Sequence, residues 1–335
     1  MNPRERVMAA LRGQPVDRPP ISFWGHVYHR ESSAEDLVAA TLELHGRYGW
    51  DWIKLNPRKH YHVEPWGVGY RYSGVPDDKP VLDRVPIRTG DDWRRIQEVP
   101  HDRGALGEQL EAVRLLRSRL PADVPLIQTV FTPFAVLGEM TREPEDLVRH
   151  LETDPDAVRG ALEAVTCVFE RYVRAVLAAG ADGVFLATVD WASRDLMGWD
   201  RYREWARAGD LRLLAAAAGG WFNVLHVCRP NNMLPELADY PAHAFSWAAG
   251  EPGNLTLRQG LERLRGAVMG GIPIDGALLT DDEAAIDAEL KRAYEQTGGR
   301  RWLAAPGCSI DPATRPGQLR RLRADIERLS TLRTA

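Results

Sequence analysis

His226 and Cys228, in WFNVLHVCRP, and Cys308, in LAAPGCSIDP, are the residues of this chain best suited to chemistry. They form a His-x-Cys pair followed, after a long gap, by a second cysteine. Two thiolates and an imidazole make the soft donor set that Zn²⁺ prefers, and three protein ligands leave a fourth tetrahedral position open, as catalytic zinc requires. Both segments read as strand ends. Side chains two apart on a strand share a face, so His226 and Cys228 can bind one ion while Val227 points away. The chain has only three cysteines, and two fall in this arrangement. The third, Cys167 in the helical ALEAVTCVFERYV, reads as a bystander on a helix edge. Two other readings compete: three unrelated core residues, since free cysteine often packs as an apolar side chain, and a Cys228–Cys308 disulfide, which a reducing compartment disfavours.

The elements that must position these residues alternate. Short β-like runs at 19–26, 51–57, 125–131, 182–190, 221–228, 243–249, 267–274 and 301–308 are separated by helical stretches. Two helices have recognisable openings: Ser32-Ser33-Ala34-Glu35, read as a capping box, and Thr280-Asp281-Asp282-Glu283. Strands alternating with helices imply parallel βαβ units, and eight such units imply an (α/β)₈ TIM barrel, here with an N-terminal helix. Barrel active sites sit at the C-terminal ends of the strands. His226 and Cys228 end the fifth run and Cys308 the eighth, so all three fall on one catalytic face.

Residues 58–105 form a long insertion after the second strand, read as a hairpin around VEPWGVGYRYSG and a functional lid. Nitrogen bases crowd the expected catalytic face: His26, His29 and Arg30 after the first strand, and Arg58, Lys59, His60 and His62 after the second. Such a cluster suits an anionic group, although strand-end bases are equally often solvated or bonded to loops. Asn56 ends the second strand. Asp190 ends the fourth and either orients a polar group of a substrate or caps the next helix. Trp24, Phe131, Phe134 and Trp247 are candidates to wall an apolar pocket. His45 and His150 fall in helical stretches and read as surface residues.

At 335 residues the chain suits a single barrel domain spanning 1–335. A net charge of −4 without a basic stripe argues against nucleic acid as a partner. No apolar run has the roughly 18 residues of a membrane span. The opening MNPRERVMAALRG lacks the apolar core of a signal peptide, so a cytoplasmic location is expected.

The opening RERVMAALRGQPVDRPPISFW, the block GADGVFLATVDWASRDLM, LHVC and the closing APGCSIDPATRPGQLRRLR resemble the uroporphyrinogen decarboxylase superfamily along nearly the whole chain. The resemblance implies an (α/β)₈ barrel. It also separates two branches. True decarboxylases of the superfamily carry two arginines after the first strand and an aspartate ending the second; this chain has Gly25 and His29 in the first place and Asn56-Pro57-Arg58 in the second. The methyltransferase branch is marked by a His-x-Cys-x(n)-Cys zinc motif, matched by His226, Cys228 and Cys308. That branch implies methyl transfer between a corrinoid (cobalamin), usually on a partner protein, and a thiol or related small acceptor; family members are often homodimers. The fourth zinc ligand is then water, the substrate thiol or Glu251. A free alkyl thiol, with a pKa near 8.5, is mostly protonated at neutral pH, and metal coordination removes that proton. The rival readings are decarboxylation of a porphyrinogen or other polycarboxylate, and a non-catalytic binder of a tetrapyrrole or thiol.

Overall fold

The computed structural model describes residues 1–331. In chain order its strands are β1 (Ile53–Leu55), β2 (Gly69–Arg71), β3 (Val81–Arg84), β4 (Leu126–Phe131), β5 (Gly183–Ala187), β6 (Val224–His226), β7 (Ala244–Ser246), β8 (Ala267–Ile272) and β9 (Trp302–Pro306). The α-helices are α1 (Pro3–Leu11), α2 (Ala34–Tyr48), α3 (Gly104–Arg119), α4 (Pro133–Gly138), α5 (Pro144–Thr153), α6 (Pro155–Ala178), α7 (Trp199–Trp205), α8 (Arg207–Ala216), α9 (Leu257–Arg263), α10 (Glu283–Thr297) and α11 (Pro316–Thr331). Seven strands form one parallel sheet in the order β1-β4-β5-β6-β7-β8-β9, and β2 pairs antiparallel with β3. Every residue of β5, β6, β7 and β9 is buried, as expected when helices cover a parallel sheet.

The two edges of this sheet are joined by the segment after the N-terminal helix. Ser22 N donates to Ala304 O at 3.1 Å and Ala304 N to Pro20 O at 2.8 Å. On the other side Asp51 N donates to Ile21 O at 2.9 Å, and Ser22 Oγ to the Trp52 carbonyl at 2.7 Å. The sheet is therefore curled. The run 19–26 is not a continuous strand: it touches the β9 side only through the isolated pairs Ile21–Ala304 and Gly25–Ile310. Pro19 and Pro20 bring no N–H donors to a ladder, which limits how far pairing can extend. The other strands lie within the expected runs but are shorter, because the chain turns away to build loops above the sheet.

Local chemistry explains the helices. In α6 the buried positions Ala157, Val158, Ala161, Val165, Val168, Phe169, Tyr172, Val173 and Val176 recur at three- and four-residue spacing, the stripe of a helix packed on a sheet. Pro155 opens it, where a missing N–H costs nothing. Helix α2 is capped by Ser33, whose Oγ accepts from Asp36 N at 3.2 Å, so the cap lies one residue later than a box closed by Glu35 requires. It ends at Gly49 with φ 62°, a left-handed turn that glycine adopts without strain. Helix α10 is capped by Asp282, which accepts from Ala285 N at 3.0 Å; Thr280 instead follows the short 3₁₀ turn Gly276–Leu279. His150 is not a surface residue. It is 4% exposed and accepts a hydrogen bond from Trp93 Nε1 at 3.1 Å.

Helix α1 is tied to the entry of β1 by a buried ion cluster. Asp51 accepts from Arg6 at 2.6 Å, from Arg18 at 2.6 and 2.9 Å and from Ile21 N at 2.8 Å. One carboxylate thus holds the N-terminal helix, the joining segment and the first strand together. The segment between β1 and α3 contains the β2–β3 hairpin, which uses Tyr70 and Arg71 of the expected stretch and pairs them with Leu82 and Val81.

Candidate metal centre and its cavity

His226 closes β6, and the register pairs it with Ser246 at the end of β7. Ser246 Oγ lies 3.1 Å from His226 Nδ1, and Phe185 of β5 stacks on the ring at 4.9 Å. These two contacts set the ring orientation and leave Nε2 for a ligand, the role that neighbouring hydrogen bonds play at metal-binding histidines. Cys228 and Cys308 stand just past the strand ends, two residues beyond His226 and Pro306. The close approach of the second loop depends on Gly307, where a Cβ would sit 2.9 Å from Ala248 Cα.

The two sulfurs are 3.7 Å apart, and the ligand atoms of His226, Cys228 and Cys308 all lie within 4.8 Å of one another. Tetrahedral zinc with Zn–S bonds of about 2.3 Å needs an S···S separation of about 3.8 Å. The spacing therefore fits one ion held by both sulfurs, and it is far longer than a disulfide of about 2.05 Å. Both cysteines are free. The hydrogen bond from Cys228, together with His226, draws Cys308 well below the usual thiol range. The bond to Cys308 and burial push Cys228 well above it. A bound cation would favour the deprotonated form of both thiols.

A cavity of about 770 Å³ opens above the triad. Of the residues expected to bind a substrate, Trp24, His26, Asn56, Arg58 and Asp190 line it, as do Lys59, His60, His62 and Phe131. Several of these are committed to protein partners. His26 Nδ1 meets Glu31 at 2.8 Å, Arg58 grips Glu64 at 2.9 Å through two nitrogens, and Asp190 takes Arg229 at 2.5 and 3.0 Å. Asp190 therefore does not cap the next helix, whose N-cap is Gly198. Others lie elsewhere. His29 is exposed and bonds the Pro76 carbonyl, and Arg30 turns outward to Glu43 at 2.7 Å. Trp247 is fully buried and donates to the Leu255 carbonyl at 2.6 Å, while Phe134 packs edge-on against Trp191 at 5.0 Å. Cys167 bonds Glu163 and Arg212 and takes no part in the cavity. Glu251 lines the cavity but is not one of the clustered ligand atoms.

The cavity also holds groups that local patterns do not reveal. Lys54, in β1, is buried, donates to Asn56 Oδ1 at 2.6 Å and lies over the Trp24 and Phe185 rings at 5.4 and 4.8 Å. Burial pushes its pKa down to about 7, against the opposing pull of Cys308 and Glu31. On another wall one oxygen of Glu139 lies 3.1 Å from both His60 Nδ1 and His62 Nε2. Burial raises the Glu139 pKa, but His62 and His60 outweigh it and hold the carboxylate well below its usual range. Backbone strain gathers here too: His60, Val189 and Arg229 have φ of 71°, 52° and 71°, and all three line the cavity. For β-branched Val189 that is a genuine outlier, of the kind that clusters at functional sites.

Comparison with known proteins places this geometry in a family. The chain is 25% identical over 328 residues to the methylcobamide:CoM methyltransferase MtaA of Methanosarcina barkeri, covering 93% of each chain. It is 26% identical over 321 residues to a uroporphyrinogen decarboxylase of Sorangium cellulosum, covering 88% of each. A solved methyltransferase structure from Methanosarcina mazei superposes with a TM-score of 0.82 over the full length of both chains, at 24% identity, which supports the fold. The uroporphyrinogen decarboxylase (URO-D) family model matches residues 2–329, and the chain belongs to that family.

Proposed function

We propose that this protein is a zinc-dependent methyltransferase that moves a methyl group between a corrinoid cofactor and a thiol or related small acceptor. The observation that carries the reading is the 3.7 Å spacing of Cys228 and Cys308 beside His226. In this reading the curled sheet is a closed (α/β)₈ barrel forming one domain, and the corrinoid is presented at the open end of the cavity, on a partner protein. The names of relatives such as the methylcobamide:CoM methyltransferase of M. barkeri agree with it.

Bound zinc would supply a site that keeps a coordinating thiol deprotonated. The chain's own residues do the rest. Ser246 fixes the His226 ring. Trp24, Phe131 and Phe185 wall the cavity and keep water from competing for the sulfur. Water, the substrate thiol or Glu251, which lines the cavity, would complete the fourth position. Positioning the acceptor sulfur is the main catalytic task, because holding reactants in line removes much of the entropic barrier.

The decarboxylase reading has relatives in its favour, but Asn56 stands where that branch carries an acid. Zinc content separates the two. Wild-type protein purified without chelator should hold about one zinc per chain by plasma emission, as one tetrahedral site requires, and Cys308→Ser should lose it. A wild type that takes up no zinc on reconstitution removes the methyltransferase reading and favours decarboxylation.

A further inference from the structure

Lys54 is a costly residue to place where it is. A buried ammonium requires an anion and hydrogen-bond acceptors for all three of its hydrogens. Lys54 has one amide oxygen, on Asn56, and two aromatic faces. Among the described residues no carboxylate lies within ion-pair distance of it, whereas its cavity neighbours His26, Arg58 and Arg229 each have one. Its position is also specific. Lys54 Nζ and the His226 ring both contact the Phe185 ring, at 4.8 and 4.9 Å from its centroid. The Ser309 hydroxyl, next to Cys308, approaches the same Asn56 oxygen at 3.4 Å. Lys54 is thus an unpaired cation set beside the triad, inside the cavity that serves it.

Charge arithmetic supplies the missing anion. Two thiolates and a neutral imidazole around a dication sum to zero, and one further thiolate makes the site −1. We infer that Lys54 is the counter-charge for the acceptor's thiolate sulfur at the His226–Cys228–Cys308 centre, so that Lys54 and Asn56 serve the reacting end of a small thiol and not its tail. This inference rests on the function proposed above. It assigns the site to thiols as a class, whatever charge their far end carries. An ammonium several ångström from a thiolate, at an effective dielectric of about 20, is worth on the order of tenfold to hundredfold in affinity. Because the ammonium is retained for a ligand, its removal should leave folding intact, as replacement of buried charge by an apolar side chain commonly does.

The test is calorimetric titration of zinc-loaded wild type, Lys54→Met and Lys54→Gln with 2-mercaptoethanol and with 3-mercaptopropionate, with zinc measured on the same samples. The expected result is unchanged zinc content, thermal melts no lower than wild type, and a similar tenfold to hundredfold loss of affinity for both thiols. Unchanged thiol affinity in the variants overturns the inference. So does a loss confined to 3-mercaptopropionate, which makes Lys54 a reader of the anionic tail, and so does failure of both variants to fold, which makes it structural. A wild type that holds no zinc refutes the proposed function itself, whereas a zinc-loaded wild type with Lys54-independent thiol binding refutes only the role of Lys54.

Discussion

At the scale of single residues, the centre depends on side chains that are not themselves ligands. Ser246 bonds His226 Nδ1, and partners of this kind are worth roughly 10–100-fold in metal affinity. Ser246→Ala should therefore weaken zinc by about that factor while leaving one zinc per chain at saturation. Competition with a coloured chelator measures it, and an unchanged affinity shows that Phe185 alone orients the ring. The His226–Cys228–Cys308 cluster was legible as a candidate because its residue types are scarce and chemically distinctive. Lys54 was not, since a lysine in IKL reads as the solvent side of a strand until the curled sheet shows that it points into the cavity. His29 and Arg30 mark the opposite case: they neighbour His26 in sequence, but the 3₁₀ turn Tyr28–Arg30 directs them to Pro76 and Glu43.

At the scale of elements, Asp51 has the largest structural share. It joins α1, the segment 20–22 and the start of β1 through four hydrogen bonds to Arg6, Arg18 and Ile21. Arg18, less than a tenth exposed, loses its carboxylate partner if Asp51 is neutralised, whereas Arg6 keeps a second one in Asp17. Asp51→Asn should lower unfolding free energy by about 3–5 kcal/mol, the cost of leaving a buried charge uncompensated. Urea denaturation checks this, and a loss below about 1 kcal/mol, the worth of a surface pair, would mean the arginines find other partners. Strand and helix order was readable because period-two and period-3.6 patterns are local. Strand ends were not, because where a strand stops depends on which neighbour it meets: β6 ends at His226, where its pairing with Ser246 ends.

At the scale of the whole molecule, one buried acid makes stability depend on pH. Asp210 of α8 accepts from Tyr202 of α7 at 2.7 Å and from Tyr240 at 3.0 Å. Burial raises its pKa to about 7, although both tyrosines and Arg207 oppose the shift. A folded-state pKa above the unfolded value means that the folded form holds a proton the unfolded form has released. The contribution is therefore complete below about pH 4, the ordinary carboxylate range, and is lost as pH rises to about 7. Asp210→Asn keeps an acceptor for both hydroxyls and removes the titration. It should be more stable than wild type at pH 8, by a margin on the order of a few kcal/mol, with the advantage shrinking toward pH 4. Parallel stability curves for the two proteins across that window would refute this.

By itself the sequence determined the alternation of strands and helices, the soft donor set and its placement at strand ends, because these follow from residue type and short-range periodicity. The tertiary structure alone decided that Cys228 and Cys308, 80 positions apart, come within 3.7 Å. It also decided that Arg58, His26 and Asp190 are spent on partners while Lys54 is not. The physical reason is that pairing of charges and ligands depends on distance through space, and that distance is set only when the sheet curls and brings its strand ends to one rim.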